Sequence, residues 1–183
     1  MNTLDALQAR HSVRGYTDQP VEEEKLKTIL KYANKAPKNG EFKMTVVRRK
    51  GFLDSLDENL INYLAEHGDP YMQKTVATPG YKALYGAPCM VVFSVPEENP
   101  GNSGISCDCA AENMCIAATE LGLGSCYMMT PMMASVINPM FKDIIMVPKG
   151  FEPYCAVLLG YEGEQIIPPQ PWVEDYANVD YYD

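Results

Sequence analysis

The sequence has no apolar run long enough to cross a bilayer, and its first ten residues lack the apolar core of a secretory signal. Basic residues are also scarce, with 15 Lys and Arg against 24 Asp and Glu and a formal net charge of -9. A surface of that sign repels phosphate backbones and anionic lipids, which argues against a nucleic acid or a membrane as partner. We therefore expect a cytoplasmic protein that acts on small molecules.

The six cysteines lack the spacing of a metal site. Cys107, Cys109 and Cys115 form a C-x-C-x5-C pattern that matches neither the common zinc motifs nor the ferredoxin motifs. They fall in a predicted helix, where residues two apart point in different directions. The sequence therefore predicts no metal, and it favours reduced thiols that pack as small apolar groups.

The 183 residues fit one domain in which strands alternate with long helices. Hydrophobic periodicity and breaker residues predict helices up to about residue 10, from 21 to 36, and over 53–66, 107–121 and 132–141. They predict strands over 45–49, 89–95, 125–129 and 155–160. This order is typical of a sheet with helices packed on its faces, in an α+β or α/β sandwich. No G-x-G-x-x-G follows the first strand, so a Rossmann dinucleotide site is not expected.

The segment Arg10-His11-Ser12-Val13-Arg14 is the most informative short motif. It places two guanidinium groups, an imidazole and a hydroxyl within five residues. Arginine offers a planar, charge-assisted fork to oxyanions, and serine adds a short hydrogen bond. Such a segment suits a ligand with a phosphate at one end and carbonyl oxygens at the other.

Three further motifs follow this segment in order. They are Ala36-Pro37-Lys38-Asn39-Gly40, then Asp108-x-x-x-Glu112-Asn113-Met114 leading into Leu121-Gly122-Leu123-Gly124-Ser125, and finally Pro148-x-Gly150-x-Glu152-Pro153 leading into Leu159-Gly160-Tyr161. Their order and spacing resemble the nitroreductase family of flavoproteins from about Leu4 to Tyr161. The resemblance implies an α+β sandwich with a central, mostly antiparallel sheet flanked by helices, in one FMN-binding domain over residues 1–161.

The resemblance also implies which residues bind FMN. The positions of Arg10 and Ser12 face the phosphate and ribityl chain, with His11 beside them, and that of Arg14 faces the pyrimidine edge. A loop holding Pro37, Lys38, Asn39 and Glu41 reaches the flavin across a dimer interface, and Tyr127, Met128, Met129 and Thr130 approach the flavin N5 and O4 edge. Tyr and Met residues of segments 71–85 and 127–133 are candidate walls for an aromatic acceptor.

The sequence departs from the family pattern at two places. In the loop, Lys38 replaces a serine and Glu41 stands where an asparagine is expected. No basic residue occurs after Lys149, although the family supplies a Lys or Arg about ten residues after the Gly-Tyr pair to bind the phosphate. Arg10, His11 or a residue such as Lys82 would have to compensate.

The implied activity is transfer of reducing equivalents from NADH or NADPH, through FMN, to an electron-poor acceptor such as a nitroaromatic or quinone, by a ping-pong mechanism. No catalytic side chain is required, because the flavin carries the chemistry. The resemblance implies a homodimer with flavin at the interface, and the extension over 162–183 is expected to pack on the partner. Two alternatives stay open: a flavin-binding protein with weakened or lost turnover, and a dehalogenase or flavin-fragmenting relative on the same fold.

Overall fold

The structure is a computed structural model that describes residues 2–171, 173 and 177–182, without the side chains of residues 130 and 131. Seven helices and four strands follow one another along these residues. Their bounds are α1 Thr3–Ala9, α2 Glu23–Ala33, β1 Lys43–Val47, α3 Lys50–His67, α4 Pro70–Val76, β2 Cys89–Pro96, α5 Ser103–Glu120, β3 Gly124–Met128, α6 Thr130–Ile137, α7 Phe141–Ile144 and β4 Phe151–Gly160.

The four strands form one antiparallel sheet in the order β1-β2-β4-β3. The two central strands, β2 and β4, carry nearly continuous apolar runs and are buried along most of their length. Strands covered on both faces have this composition, because neither face meets water. The predicted α+β sandwich with helices on both faces is confirmed.

Each face of the sheet supports its own apolar cluster. On one face α2 and α5 pack over β2 and β4, with Ile29, Phe93 and Met114 at the centre. On the other face α3, α6 and α7 pack with the segment 83–87, around Leu60, Met90 and Phe141. Small residues let α5 approach the sheet closely, and Gly122 (φ 73°) ends the turn after this helix in a conformation that favours glycine.

Several predicted bounds differ from the structure, and two of the differences have a clear physical reason. The single helix expected over 132–141 is two helices, because Asn138 precedes Pro139 and adopts extended angles (φ -134°, ψ 101°), as residues before proline tend to do. Strand β4 begins at Phe151 rather than Cys155 and includes Pro153. The β2–β4 register shifts between Phe93 and Ser94, and such an irregularity accommodates a proline within a strand.

The outer edge of β3 is covered by the segment that contains the arginine motif. Ser12 forms a parallel bridge with Ser125, and the Val13 N–H donates to the Ser125 carbonyl at 2.9 Å. A Cβ on Gly124 would lie 2.7 Å from Val13 Cγ2, so only glycine allows this approach. The edge of the sheet therefore fixes the position of residues 10–14.

Candidate functional site

A cleft of about 1080 Å³ lies beside the arginine segment. Its walls come from α1 and the segment after it, from α3, α4 and α6, from the segment before β2, from the end of β3 and from the C-terminal segment. They are Leu7, Gln8, Ala9, Arg10, His11, Ser12, Arg14, Leu60, Leu64, Tyr71, Met72, Thr75, Tyr81, Ala83, Tyr85, Met128, Met129, Met133, Ile167, Pro168, Pro169 and Gln170.

Three basic side chains line this cleft. Arg10 Nε lies 3.4 Å from Glu112 Oε1 on α5, and an Arg14 terminal nitrogen lies 3.5 Å from the Ser12 carbonyl oxygen. His11 is hydrogen-bonded through Nδ1 to the Ala9 carbonyl at 3.0 Å and through Nε2 to Glu162 at 3.2 Å. Both partners of His11 are acceptors, so the two bonds form together only when the ring carries both protons.

The ionisable residues that line the cleft are all basic, in contrast to the composition of the whole chain. The chain has a formal net charge of -9, yet the described residues that line the cleft include two arginines and a histidine and no Asp or Glu. Glu112 and Glu162 contact this group from outside the lining. The cleft is therefore suited to an anionic ligand.

The remaining wall of the cleft, which we call the neutral wall, is rich in aromatic rings and thioethers. Tyr71 and Met72 come from α4, and Tyr81 and Tyr85 come from the segment before β2. Their rings, like the Met side chains, present flat and polarisable surfaces to a planar ligand. Most Tyr and Met residues of the segments 71–85 and 127–133 thus lie around one opening: Tyr71, Met72, Tyr81, Tyr85, Met128, Met129 and Met133.

A buried carboxylate supports this neutral wall from behind. Asp57 of α3 is buried, and its Oδ1 accepts the Leu84 N–H at 2.6 Å, with a further contact to the Ala83 backbone. Burial raises the pKa of the Asp57 carboxyl above its usual value, while these N–H groups act in the opposite direction. Asp57 thus holds the segment that carries Tyr81 and Tyr85.

Replacing Asp57 with asparagine should change how stability depends on pH. Because the pKa is raised in the folded chain, Asp57 contributes stability that is present below its unfolded pKa and is lost as pH rises through the folded value. The asparagine side chain keeps an acceptor but carries no charge, so the stability of Asp57→Asn relative to the native chain should be greater at pH 7 than at pH 4.

Urea unfolding at the two pH values measures this difference. The control is Glu58→Gln, which removes the charge of an exposed carboxylate next to Asp57 on α3. If the stability of Asp57→Asn relative to the native chain is the same at pH 7 and at pH 4, the burial of this carboxyl does not affect how stability depends on pH.

Six of the predicted site residues meet at the cleft, but the loop at 37–41 does not. Arg10, His11, Ser12, Arg14, Met128 and Met129 all line the opening. The loop lies instead at the N-terminal end of α5, where the Asn39 N–H donates to Ser106 Oγ at 3.0 Å. Lys38 Nζ lies 4.7 Å from the Phe42 ring centroid, and Lys43 pairs with Glu41 at 2.8 Å. Pro37 belongs to the same loop.

Two other predicted residues have different surroundings, and a third is described only by its backbone. Tyr127 points to the other face of the sheet, where its hydroxyl donates to Asp108 Oδ1 at 2.8 Å. Lys82 lines a separate opening of about 670 Å³ with Asp57 and Gly86. Thr130 begins α6, but its side chain lies outside the described part of the chain.

The sequence patterns missed the contribution of the C-terminal segment to the cleft. Ile167, Pro168, Pro169 and Gln170 line it together with the arginine segment. This stretch has neither helical nor strand periodicity, and its proline pair indicates only an extended path. Of these four residues, Gln170 alone has a polar side chain, and a single amide does not by itself indicate a binding site.

Cys107 and Cys115 are buried residues of α5 that pack in the apolar cluster between this helix and the sheet. The described residues contain no group of three or more His, Cys, Asp or Glu arranged to bind a metal ion. Within that same part of the chain, none of the helices combines the length and apolar character of a membrane span.

Comparison with known proteins gives consistent matches. The model of the nitroreductase family matches residues 7–161. A Methanothermobacter thermautotrophicus protein named as an NADH dehydrogenase/NAD(P)H nitroreductase is 24% identical over 168 residues, which are 90% of this chain and 79% of the relative. Nitroreductase structures with bound FMN from Bacteroides fragilis (TM-score 0.83) and Desulfitobacterium hafniense (TM-score 0.89) are each 26% identical and align over 100% of both chains.

Proposed function

This chain belongs to the nitroreductase family, and we propose that it is an FMN-dependent oxidoreductase that passes reducing equivalents from NADH or NADPH to an electron-poor acceptor. The observation that carries the proposal is the cleft of about 1080 Å³, whose described lining has two arginines, a histidine and no acid. In a chain with a net charge of -9, such a cleft favours an anion that also has a large neutral body. FMN has both parts.

The residues of the cleft fit the two ends of FMN. Arg10 and Ser12 would hold the phosphate and ribityl chain, because a guanidinium and a hydroxyl donate charge-assisted hydrogen bonds to phosphate oxygens. Arg14 would lie at the pyrimidine edge, where a cation stabilises the negative charge of a reduced flavin and so raises its potential. Bound FMN would supply the redox chemistry by accepting hydride from NADH or NADPH and returning electrons to an acceptor.

The neutral wall would bind the nicotinamide and the acceptor in turn. Tyr71, Met72 and Met129 offer flat or polarisable surfaces to a planar ring and carry no charge that would favour a polar substrate. A nitroaromatic compound or a quinone suits such a wall. Because both substrates would use the same opening, the oxidised nicotinamide must leave before the acceptor enters, which gives ping-pong kinetics.

A homodimer forms part of this proposal. The loop of Pro37, Lys38, Asn39 and Glu41 lies outside the cleft of its own chain, at the end of α5 where Ile105 is exposed. In a dimer the loop would complete the cleft of the partner, and the extension over 162–183 would pack on the partner surface where it is not paired with its own chain. Residues 172, 174–176 and 183 of this extension lie outside the described residues. Light scattering of the purified protein at micromolar concentration should give twice the mass of one chain.

The proposed function predicts two separable half-reactions. Flavin-loaded protein kept free of oxygen should lose its visible flavin absorbance when one equivalent of NADH or NADPH is added, because each nicotinamide delivers two electrons. After the oxidised nicotinamide is removed, a quinone or nitroaromatic compound should restore the absorbance. Stopped-flow absorbance measures both steps.

The outcomes separate the proposal from its alternatives. Flavin that binds but is reduced by neither nicotinamide would indicate a flavin-binding protein without turnover. Release of halide from a haloaromatic substrate, or breakdown of the flavin itself, would indicate one of the other chemistries found on this fold.

A further inference from the structure

The C-terminal segment, residues 162–170, pairs with the arginine segment of its own chain. Tyr16 and Glu162 form an antiparallel bridge, and the Gly163 N–H donates to the Gly15 carbonyl at 2.9 Å. The Ile166 N–H donates to the Arg14 carbonyl at 3.2 Å. Residues 14–16 therefore have a strand-like partner, and this partner continues into the cleft at residues 167–170.

Gln165 makes the central side-chain contacts of this pairing. Its Oε1 accepts the Arg14 N–H at 2.6 Å, and its Nε2 donates to the Gly15 and Gly163 carbonyls, each at 3.0 Å. All three contacts are made at the backbone. A side-chain amide has an acceptor oxygen and two N–H donors, so this one group satisfies all three backbone partners.

The backbones at Gly15 and Glu164 also approach each other closely. A Cβ on Gly15 would lie 1.8 Å from the Glu164 carbonyl oxygen, far inside contact distance. The two segments are therefore in direct contact at the point where Arg14 leaves the sheet edge and enters the cleft. The position of the Arg14 backbone depends on residues 163–166.

We propose that Gln165 is a positioning residue for Arg14 and that the C-terminal segment is part of the cofactor site of its own chain. The inference rests on the proposed function, because it assigns Gln165 a role through a residue that would contact FMN. Without the amide, the half-buried Arg14 N–H and the Gly163 carbonyl lose this partner, and the Gly15 carbonyl keeps the Gly163 N–H alone. The guanidinium is then no longer held at one place beside the ring system.

The proposal predicts which part of the ligand is affected. Arg14 acts at the ring system, which riboflavin and FMN share, whereas Arg10 acts at the phosphate, which riboflavin lacks. Replacing Gln165 should therefore weaken the binding of FMN and of riboflavin by a similar factor. We expect an increase in both dissociation constants of roughly 10-fold, as follows from a loss of about 1.4 kcal/mol.

The variants Gln165→Ala and Gln165→Glu separate positioning from packing. Glutamate has the shape of glutamine and keeps an acceptor for the Arg14 N–H, but it places an oxygen against the two carbonyl oxygens. If Gln165 only fills space, Gln165→Glu retains native flavin affinity. If its hydrogen bonds position Arg14, both variants lose affinity, and the control Gln19→Ala, at an exposed position, does not.

Two measurements test the proposal. The first is the fluorescence titration of each variant with FMN and with riboflavin. The second is amide hydrogen exchange at Arg14, followed by NMR in flavin-free protein, where protection should fall in Gln165→Ala, which has no acceptor for this N–H. This second readout does not depend on flavin, so failure of the native chain to bind FMN would contradict the proposed function and leave the test of Gln165 intact. Native flavin affinities with unchanged Arg14 protection would overturn the inference.

Discussion

Replacing Arg10 with alanine should abolish the retention of FMN through purification. Arg10 is the first cation of the cleft, and no basic residue occurs after Lys149 to share the phosphate. The residue that lines the cleft near the end of the C-terminal segment is Gln170, a neutral amide. A charge-assisted hydrogen bond contributes about 1.5–3 kcal/mol, so the dissociation constant of FMN should rise roughly 10- to 150-fold.

The comparison between FMN and riboflavin makes this prediction specific. Riboflavin has no phosphate, so its affinity should change little in Arg10→Ala, and the native preference for FMN should disappear. Arg49→Ala is the matched control, since it removes an exposed arginine at the start of α3. Flavin content near the native level in Arg10→Ala would show that the phosphate is bound elsewhere.

Replacing Gly15 with alanine should both destabilise the fold and eliminate flavin binding. The new methyl carbon would lie 1.8 Å from the Glu164 carbonyl oxygen. The methyl carbon is bonded directly to the backbone, and the oxygen is part of it. No side-chain rotation relieves this overlap, so the C-terminal segment must separate from residues 14–16. We expect a loss of about 3 kcal/mol in the free energy of unfolding, at the upper end for overpacking.

Urea unfolding and flavin titration together measure the effect of Gly15→Ala. Gly51→Ala provides the control, because Gly51 is an exposed position of α3 with no atom within 4 Å of the added Cβ. In a helix alanine is more favourable than glycine, so that variant should be as stable as the native chain or slightly more stable. Equal stabilities for the two variants would contradict the close pairing of residues 14–16 with 162–166.

The sheet and its helices were predictable because burial imposes a pattern on them. The apolar run at Cys89 to Val95, bounded by prolines, is buried as β2. The long helix before Gly122 was predictable from its small residues and from the glycine that ends it. The predicted start of α5 at Cys107 was late, since the structure begins it at Ser103. The residues Ser103 to Ser106 carry no strong periodic signal, and tertiary contact with the loop at 37–41 decides that boundary.

The cleft was only partly predictable. Arg10 to Arg14 are recognisable because the chemistry is carried by side chains close together in sequence. Gln165 acts on backbone groups about 150 residues away, and such a contact leaves no periodic or local signature. Asp57 resembles any other acid of an amphipathic helix until the structure places Leu84 against it.

The most direct test of the account is the titration of flavin-free native protein with FMN and with riboflavin, followed by flavin fluorescence. The arginine segment should bind FMN with a dissociation constant in the micromolar range or below, and riboflavin clearly more weakly, since only FMN offers a phosphate to Arg10. Absence of FMN binding at micromolar concentrations, or equal affinity for the two flavins, would contradict the assignment of the cleft to FMN and of Arg10 to its phosphate.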